Sequence, residues 1–499
     1  MAEQFRALIN GEWIASGSQG TFENVNPADN SDVVGTFPKC GREEVEAAVA
    51  SAKEAQKAWA LVPAPRRGEI IKRCGDILSE RKEDLARSMT REMGKILAET
   101  RGDVQEAIDT AYMMAGEGRR MYGDTVPCEL PNKFGMSIRC PIGVAGMITP
   151  WNFPMAIPSW KIFPALVCGN TVVLKPATDT PASSARFVEA LLDAGLPPKC
   201  IQLVYGSGRD VGETLATHPD VGVVSFTGSS EVGRRLAAVC GERLKRLSLE
   251  LGGKNPQIVM EDADIELAVE GALWGAFGTT GQRCTATSRL IVHREVKEQF
   301  TSMLVARAKA LKVGNGLDES VQMGPCINAA QRETVHGYVE IGKSEGARLL
   351  CGGHALTEGE YAKGSFYAPT VFADVTPKMR IFQEEIFGPV VGITEVSSFE
   401  EAIAVANDCA YGLSSSIYTR DVQRAFQAIR DIQAGITYIN GPTIGAEVGL
   451  PFGGVKDTGN GHRESGYQVL DIFTEWKSVY VDFSGRLQRA QIDTEKLSG

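Results

Sequence analysis

Residues Val221–Gly233 read VGVVSFTGSSEVG, an apolar run that leads through a glycine-containing turn into a helical pattern. The apolar run Val221 to Phe226 predicts a buried strand, and Ser230 to Gly241 predicts the helix that follows it. A helix start offers free N–H groups, and Gly228 would let a phosphate approach the backbone. A tight turn capped by Ser229 would give the same pattern. The segment therefore predicts a strand, a turn and a helix of an α/β protein.

Four more apolar runs lie around this unit, between Gly143 and Gly253. They are Val144 to Ile148, Thr171 to Leu174, Ile201 to Tyr205 and Leu247 to Leu251. Helical stretches such as Pro181 to Ala194 separate several of them, so we expect a mainly parallel sheet with ligands at the carboxyl ends of its strands. The segment from Pro256 to about Asn440 repeats the alternation, with runs at Arg289 to Val292, Val390 to Thr394 and Ile436 to Ile439. It predicts a separate domain.

The flanking segments have other patterns. Arg42 to about Tyr122 shows apolar residues at helical spacing and predicts amphipathic helices. Thr125 to Cys140 is punctuated by proline, asparagine and glycine, which favours a hairpin or projecting arm. Phe473 to Phe483 is rich in strand formers and predicts a strand that pairs with another element, and a polar tail follows from Ser484.

Composition narrows the classes of function. The 499 residues carry a net charge of −10, with 52 basic against 62 acidic side chains, which argues against nucleic-acid or anionic-membrane partners. The eleven cysteines form no Cys-x-x-Cys pair, so we expect no metal site, no disulfide framework and a cytoplasmic location. The start of the chain has no export leader and no later run is apolar enough to span a membrane, so we expect neither export nor insertion.

Two residues in glycine-flanked strings predict the chemistry. Cys284 offers a thiol that can add to a carbonyl carbon, and Glu250 offers a carboxylate that can deprotonate water. Asn152, held at a strand end between two prolines, could donate to the developing oxyanion. Cys284 and Asn152 each also have a purely structural interpretation. A lone cysteine is usually a small buried side chain, and an asparagine usually donates to a loop carbonyl. Together, the thiol and the carboxylate predict oxidation of an aldehyde.

Seven strings in this order resemble the aldehyde dehydrogenase superfamily over essentially the whole chain. They are Thr149–Pro154, Lys175–Ala177, Phe226–Ser229, Leu249–Lys254, Gly281–Cys284, Glu385–Pro389 and Pro451–Gly454. The resemblance implies an α/β fold with a Rossmann-like cofactor domain over residues 1–122 and 142–252 and an α/β catalytic domain over 253–456. Residues 123–141 and 470–499 would form a β oligomerisation arm and a C-terminal strand and tail, in a homodimer or homotetramer.

The resemblance also implies a mechanism. Cys284 would attack the aldehyde while Asn152 and the Cys284 backbone N–H hold the oxyanion, and hydride would leave for C4 of the nicotinamide. Glu250 would then activate water to hydrolyse the thioester, and Lys161 and Glu464 match positions thought to support proton movement. We expect the Cys284 thiol to have a lowered pKa and to be alkylated faster than the other ten cysteines.

Cofactor positions are carried over one by one from the resemblance. They are Ile148, Thr149, Pro150, Trp151, Lys175, Thr178, Gly208, Arg209, Phe226, Gly228, Ser229, Val232, Leu251, Gly252, Glu385 and Phe387. Thr178 stands where NAD-preferring members have a glutamate that binds the adenosine ribose. Loss of that carboxylate removes repulsion of a 2′-phosphate, so we expect NADP as well as NAD to be accepted, with Arg209 as a nearby cation.

The substrate positions are Phe153, Trp160, Arg283 and Thr285, with Met155, Ile157 and the loop Thr443 to Leu450 around them. This mostly apolar set suits aliphatic or aromatic aldehydes. Arg283 could instead pair with the carboxylate of a semialdehyde or the phosphate of a triose, or face structural partners. The string Pro451 to Glu464 is similar to members that act on 2-oxoglutaric semialdehyde.

Other activities stay open at this point. A dehydrogenase that oxidises glyceraldehyde 3-phosphate without phosphorylation and a CoA-acylating semialdehyde dehydrogenase are alternatives, although Glu250 favours water as the acyl acceptor. A cysteine protease or acyl transferase is poorly supported, because none of the five histidines lies in a motif near a cysteine. A catalytically silent homologue is opposed by the presence of Cys284, Glu250 and Asn152 together.

Overall fold

The computed structural model describes residues 3–493. Residues 1–2 of the predicted cofactor domain and 494–499 of the predicted tail lie outside the described residues. The helices are α1 (Arg42–Leu61), α2 (Ala64–Glu80), α3 (Lys82–Met93), α4 (Leu97–Glu117), α5 (Ala156–Val167), α6 (Pro181–Asp193), α7 (Glu213–Thr217), α8 (Ser230–Gly241), α9 (Ile265–Phe277), α10 (Arg294–Ala310), α11 (Ala329–Ser344), α12 (Arg380–Gln383), α13 (Phe399–Asn407), α14 (Val422–Asp431) and α15 (Leu470–Phe473).

The strands form two large sheets and three small ones. They are β1 (Glu3–Gln4), β2 (Ala7–Ile9), β3 (Glu12–Ile14), β4 (Thr21–Asn26), β5 (Asp29–Pro38), β6 (Thr125–Pro127), β7 (Lys133–Pro141), β8 (Val144–Ile148), β9 (Thr171–Lys175), β10 (Ile201–Leu203), β11 (Val221–Thr227), β12 (Arg246–Glu250), β13 (Asn255–Val259), β14 (Thr287–His293), β15 (Arg348–Cys351), β16 (Thr370–Ala373), β17 (Val390–Val396), β18 (Tyr411–Gly412), β19 (Ser414–Tyr418), β20 (Ile436–Ile439), β21 (Val455–Lys456) and β22 (Thr474–Asp482).

The first large sheet has the order β12-β11-β8-β9-β10-β2-β3. Its first five strands are parallel and correspond to the five predicted runs, so those predictions are confirmed. The predicted run Ile201 to Tyr205 is shorter in the structure and ends at Leu203. Every residue of β8 and β9 is buried, because helices cover both faces of the sheet.

The second large sheet has the order β15-β16-β17-β14-β13-β19-β20. The runs predicted around Arg289, Val390 and Ile436 are its strands β14, β17 and β20. Only β15 pairs in antiparallel fashion, and the other neighbours run parallel. Only four residues, 251–254, connect the end of β12 in the first sheet to the start of β13 in the second.

The first forty residues form strands that the sequence patterns did not predict. Strands β2 and β3 extend the first sheet as an antiparallel hairpin, and β4 and β5 form a small sheet with β1. These strands are mostly short, and β2 is buried throughout, so no alternation marks it. The predicted helices after Arg42 are present as α1 to α4, and their apolar faces share one core with the first sheet.

The arm is a three-stranded sheet in which β22 pairs with β7 along nine residues, from Thr474 opposite Pro141 to Asp482 opposite Lys133. The predicted hairpin and the predicted pairing of the C-terminal strand are therefore confirmed, and the partner strand belongs to the same chain. Asn170 fixes the base of the arm, because its Oδ1 accepts the N–H groups of Ile142 and Gly143 and its Nδ2 donates to the Phe473 carbonyl.

All eleven cysteines are free thiols. Within residues 3–493, no three histidine, cysteine or acidic side chains come together as a metal site would require. Over the same residues, no helix combines the length and the apolar character needed to cross a membrane.

Candidate active site

Two cavities meet at Cys284, where the carboxyl edge of the first sheet faces the second sheet. The inner cavity is lined by Glu106, Phe153, Ile157, Trp160, Thr227, Glu250, Leu251, Arg283, Cys284, Thr285, Gly445, Ala446, Phe452 and Glu464. The outer cavity is lined by Pro150, Trp151, Asn152, Ile157, Thr227, Gly228, Ser229, Leu251, Gly252, Cys284, Gln331, Glu385 and Phe387. The predicted nucleophile and base therefore share the inner cavity, and the nucleophile also borders the outer one.

The segment before Cys284 is strained and held by polar contacts. Thr279 and Thr280 have φ angles of 52° and 59°, a left-handed conformation that β-branched residues rarely adopt. Glu99 Oε1 accepts the Thr279 N–H at 2.5 Å, and Thr280 Oγ1 donates to the Gly324 carbonyl at 2.9 Å. These contacts stabilise the turn that presents Cys284 to the cavities.

Asn152 is fixed beside Cys284 at the outer cavity. It is 3% exposed, it borders the outer cavity beside Cys284, and its Nδ2 donates to the Gln282 carbonyl at 3.1 Å. The strand β8 ends at Ile148 and the following prolines direct the chain back into α5, so the amide is fixed at the strand end. The structure thus brings the predicted amide donor to the predicted thiol.

The expected lowering of the Cys284 pKa is wrong for this structure. Burial, with Glu385 and Glu250 nearby, raises the pKa of the Cys284 thiol to about 12, although the N–H groups of Thr285 and of Cys284 itself act in the opposite direction. Glu385 and Glu250 are far from Cys284 along the chain, and only folding brings these two carboxyl groups to the sulfur. The thiol is nevertheless partly exposed to the cavities.

Glu250 is a buried carboxyl group that forms no ion pair with any residue in the range 3–493. It is 2% exposed, and neither side-chain oxygen has a hydrogen-bond partner among the described residues. Burial and the neighbouring Glu464 raise the pKa of Glu250 well above its ordinary value. Gly453 makes the space for this carboxyl group, because a Cβ there would lie 2.5 Å from Glu250 Oε1. A carboxyl group with these properties suits a general base.

Lys161 and Glu464 form a buried ion pair beside this base. The Lys161 ammonium also donates to Ser225 Oγ at 2.9 Å, and Ser225 Oγ donates to Glu464 Oε1 at 3.2 Å. Glu464 lines the inner cavity together with Glu250. Ser225 is a member of this network that the sequence did not indicate, because it is one position in a buried strand.

The outer cavity fits a dinucleotide. Trp151 and Phe387 meet edge to face at 5.3 Å between ring centroids, and Ser229 caps the start of α8 at the cavity wall. Glu385 Oε1 accepts the Gly253 N–H at 2.9 Å, and burial raises the pKa of Glu385 to about 7. Eight predicted cofactor residues line this cavity. They are Pro150, Trp151, Gly228, Ser229, Leu251, Gly252, Glu385 and Phe387.

The remaining predicted cofactor residues lie outside the outer cavity. They are Ile148, Thr149, Lys175, Thr178, Gly208, Arg209, Phe226 and Val232. Ile148 stands opposite Lys175 and opposite Phe226 in neighbouring strands, so these three share the carboxyl edge of the sheet. The turn Gly208–Gly212 packs on this edge, because a Cβ at Gly212 would lie 3.6 Å from Ile148 and 3.7 Å from Lys175. Thr178 and Arg209 are exposed.

All four predicted substrate residues line the inner cavity. Arg283 satisfies both interpretations left open by the sequence, because it borders the cavity and also has structural partners. Its Nε donates to Thr279 Oγ1 at 2.8 Å and its Nη2 pairs with Glu99 at 3.1 Å. Its Nη1 has no hydrogen-bond partner within residues 3–493. Met155 is buried and does not line the cavity.

Some residues that line the two cavities were not predicted from the sequence, namely Glu106, Thr227, Phe452 and Gln331. Thr227 and Phe452 stand inside strings that had been singled out, so those strings were the available signal. Glu106 and Gln331 come from charged helices, α4 and α11, and their sequence surroundings give no sign of a cavity. Burial, with Asp103 nearby, raises the pKa of Glu106 to about 8.

Comparisons with known proteins agree with this site. The model of the aldehyde dehydrogenase family matches residues 13–479. The chain is 45% identical to the alpha-ketoglutaric semialdehyde dehydrogenase of Bacillus subtilis (strain 168), over 95% of this chain and 97% of that protein. It is 42% identical to the alpha-ketoglutarate semialdehyde dehydrogenase of Haloferax volcanii, over 96% and 99%.

A solved structure agrees as well. The betaine aldehyde dehydrogenase of Staphylococcus aureus in complex with NAD+ superposes with a TM-score of 0.95 at 34% identity, covering 97% of this chain and 96% of that one. The chain therefore belongs to the aldehyde dehydrogenase family, and it is an oxidoreductase that oxidises an aldehyde with a nicotinamide dinucleotide as its cofactor.

Proposed function

We propose that the chain oxidises 2-oxoglutaric semialdehyde to the dicarboxylic acid, with Cys284 as nucleophile and Glu250 as base. The observation that carries the proposal is the shared inner cavity, in which the Cys284 thiol and the unpartnered Glu250 carboxyl group both face the same space. The names of relatives that are 42–45% identical over nearly their whole length support this substrate.

The steps follow from the groups around the sulfur. The Cys284 thiol releases its proton to solvent in the cavity and its sulfur adds to the aldehyde carbon, and the Asn152 amide and the Cys284 N–H hold the resulting oxyanion. When it is bound, NAD(P)+ supplies the acceptor for the hydride that leaves this carbon. Glu250 then takes a proton from water, the hydroxide attacks the thioester carbon, and the C–S bond breaks to release the acid. The Lys161–Glu464 pair, which lies beside Glu250, then carries the proton away from it; their ion pair at the cavity supports this role.

Replacing Glu250 by glutamine should remove hydrolysis and spare acylation. We expect a burst of NAD(P)H equal to about one per active site, followed by a steady rate lowered about 10²- to 10⁴-fold, because the amide cannot deprotonate water. Stopped-flow absorbance measures both phases. Glu447→Gln, at an exposed carboxylate on the loop beside the inner cavity, is the matched control.

In the unmodified protein, the steady rate should fall as the pH is lowered. The raised pKa of Glu250 means that its neutral form, which cannot accept a proton, accumulates at a higher pH than for an ordinary glutamate. The thiol must also lose a proton, which acts in the same direction. A rate that stays constant down to pH 5 would contradict the role of Glu250.

Arg283 should recognise the distal carboxylate of the substrate. Its free Nη1 can add a charge-assisted hydrogen bond, worth about 1.5–3 kcal/mol. We therefore expect Arg283→Met to lower kcat/KM for the semialdehyde about 10- to 100-fold relative to pentanal, whose chain has the same length and no carboxylate. Arg283→Lys, which keeps the charge near Glu99, should lose less. Equal losses for both substrates would assign Arg283 a structural role only.

We infer that the chain accepts NADP+ as well as NAD+. Thr178 is exposed just after β9, and it brings no charge to the carboxyl edge of the first sheet, where Lys175 lies. The next acidic side chain, Asp179, is already held by the Asn328 amide at 2.8 Å. The carboxylate introduced by Thr178→Glu would repel a 2′-phosphate and bind ribose hydroxyls. We expect the ratio of kcat/KM for NADP+ to that for NAD+ to fall at least about tenfold.

Steady-state kinetics with both cofactors measure this ratio. Thr376→Glu, an exposed threonine near the second sheet, controls for the added charge. An unchanged ratio in Thr178→Glu would contradict the cofactor argument.

We infer that residues 1–122 and 142–252 form the cofactor domain, that 253–456 form the catalytic domain, and that the arm joins subunits into a homodimer or homotetramer. Large apolar side chains of the arm are exposed, among them Val126, Trp476 and Tyr480 at 50%, 52% and 67%. The edge strands of the arm, β6 and β22, have no second neighbour among the described residues. Unpaired edges and exposed aromatic residues are typical of surfaces that another chain covers.

Charge on the arm should therefore dissociate the oligomer. We expect the double substitution Trp476→Glu and Tyr480→Glu to reduce the mass to that of one chain, 53.7 kDa, in sedimentation velocity. The matched control is Leu244→Glu, because Leu244 is a 96% exposed apolar residue away from the arm. If both variants sediment like the parent, the arm is not the subunit contact.

A further inference from the structure

The carbonyl groups of the nucleophile segment are held by side chains from three other segments. Asn255 Nδ2 donates to the carbonyls of Cys284 and Ala286, at 2.8 Å each. Asn152 donates to the Gln282 carbonyl, and Thr443 Oγ1 donates to the Thr285 carbonyl at 2.6 Å. Each of these polar side chains is at most 3% exposed.

Asn255 is itself fixed from the other side. Its Oδ1 accepts the Ser414 N–H at 2.9 Å, and Ser414 Oγ donates to the Thr443 carbonyl at 2.6 Å. Thr443 also donates to the Thr285 carbonyl. The hydrogen bonds therefore form a ring from Cys284 through Asn255, Ser414 and Thr443 to Thr285. Asn255 begins β13 and Ser414 begins β19, so the ring is anchored in two strands of the second sheet.

The backbone of Gly253 packs closely against the Cys284 carbonyl. A Cβ at Gly253 would lie 2.2 Å from that carbonyl oxygen, so the backbones are in close contact there. The carbonyl of Cys284 and the N–H of Thr285 belong to one planar trans peptide and point in opposite directions. The carbonyl accepts from Asn255, and the Thr285 N–H acts to lower the pKa of the Cys284 thiol.

We propose that Asn255 is a positioning residue that holds the Cys284–Thr285 peptide so that its N–H donates to the nucleophilic sulfur. The proposal rests on the proposed function only in taking Cys284 as the nucleophile. An N–H donated to the sulfur stabilises the thiolate, and the hydrogen bond from Asn255 to the same peptide polarises that N–H. Asn255 thus opposes the burial and the two carboxyl groups, Glu385 and Glu250, that disfavour ionisation of this thiol.

The test is the pH dependence of Cys284 alkylation by iodoacetamide in the full chain without cofactor, followed by peptide mass spectrometry. Asn255→Leu keeps the size and neutral charge of the side chain but has no donor. We expect its alkylation rate at pH 8 to fall about tenfold, which is the change that a rise of about one pH unit in the ionisation midpoint produces. We also expect kcat to fall while KM for the aldehyde changes less.

Matched controls separate this effect from loss of packing. Gln257→Met removes another buried amide of β13, which donates to the Ala268 carbonyl away from the site. Thr443→Val releases the next peptide, whose N–H does not face the sulfur. Both should keep the parent midpoint. None of the three substitutions adds or removes a charge. They therefore leave unchanged the titratable groups around the sulfur, which are Glu250, Glu385, Arg283, Glu106 and Glu464.

Asn255→Ser provides a second variant if Asn255→Leu does not fold, and its midpoint should shift in the same direction. A parent-like midpoint in the folded Asn255 variants would overturn the proposal. An equal shift in Gln257→Met would also overturn it, because loosening of β13 would then be the cause. Failure of the proposed function would give a different result. Cys284→Ser would then retain aldehyde oxidation, whereas the Asn255 variants would still lower the alkylation rate of Cys284.

Discussion

Burial of carboxyl groups beside a thiol, without counter-ions in contact, is the constraint on which this site depends. An ionised carboxylate is costly in a medium of low dielectric constant, so Glu250 holds its proton to a higher pH than an exposed glutamate. The same surroundings disfavour the Cys284 thiolate. Both groups are therefore weakly ionised at rest, and the site must supply specific donors where charge develops.

The backbone and amide donors meet this need. Asn152 borders the same cavity as Cys284, the N–H groups of Cys284 and Thr285 act to lower the pKa of its thiol, and none of these donors brings a net charge into the cavity. Donors of this kind are already oriented before the reaction, so they cost little reorganisation when the oxyanion forms. The strained turn at Thr279 and Thr280 is part of the same arrangement, because Glu99 and the Gly324 carbonyl hold it in place.

Two ion pairs lie beside the inner cavity. Lys95 pairs with Asp103 at 2.6 Å with both side chains fully buried, and Arg283 pairs with Glu99. Three acidic side chains, Glu106, Glu250 and Glu464, line the cavity itself. Burial raises the pKa of Glu106 to about 8 and the pKa of Glu250 well above its ordinary value, and Lys161 pairs with Glu464, so little negative charge faces the cavity at neutral pH.

Sequence patterns alone predicted the alternating strands and helices, the arm and the polar residues at strand ends. These features follow from local spacing: five apolar runs of strand length gave β8 to β12, and turn residues marked the hairpin of the arm. The order of the motif strings also identified Cys284, Glu250 and Asn152, because each string carries its own chemistry. Cofactor contacts such as Glu385 came from the family resemblance.

The tertiary structure alone decided how these groups affect one another. Glu106, Gln331 and Ser225 come from segments far apart along the chain, and nothing in their local sequence indicates a cavity. The pKa of Cys284 depends on Glu385 and Glu250, which are 101 and 34 positions away along the chain and adjacent only after folding. Residue types and their spacing thus determine which chemical groups are available. Burial and the distances between segments determine the charge state of those groups, because electrostatic energies depend on position in space.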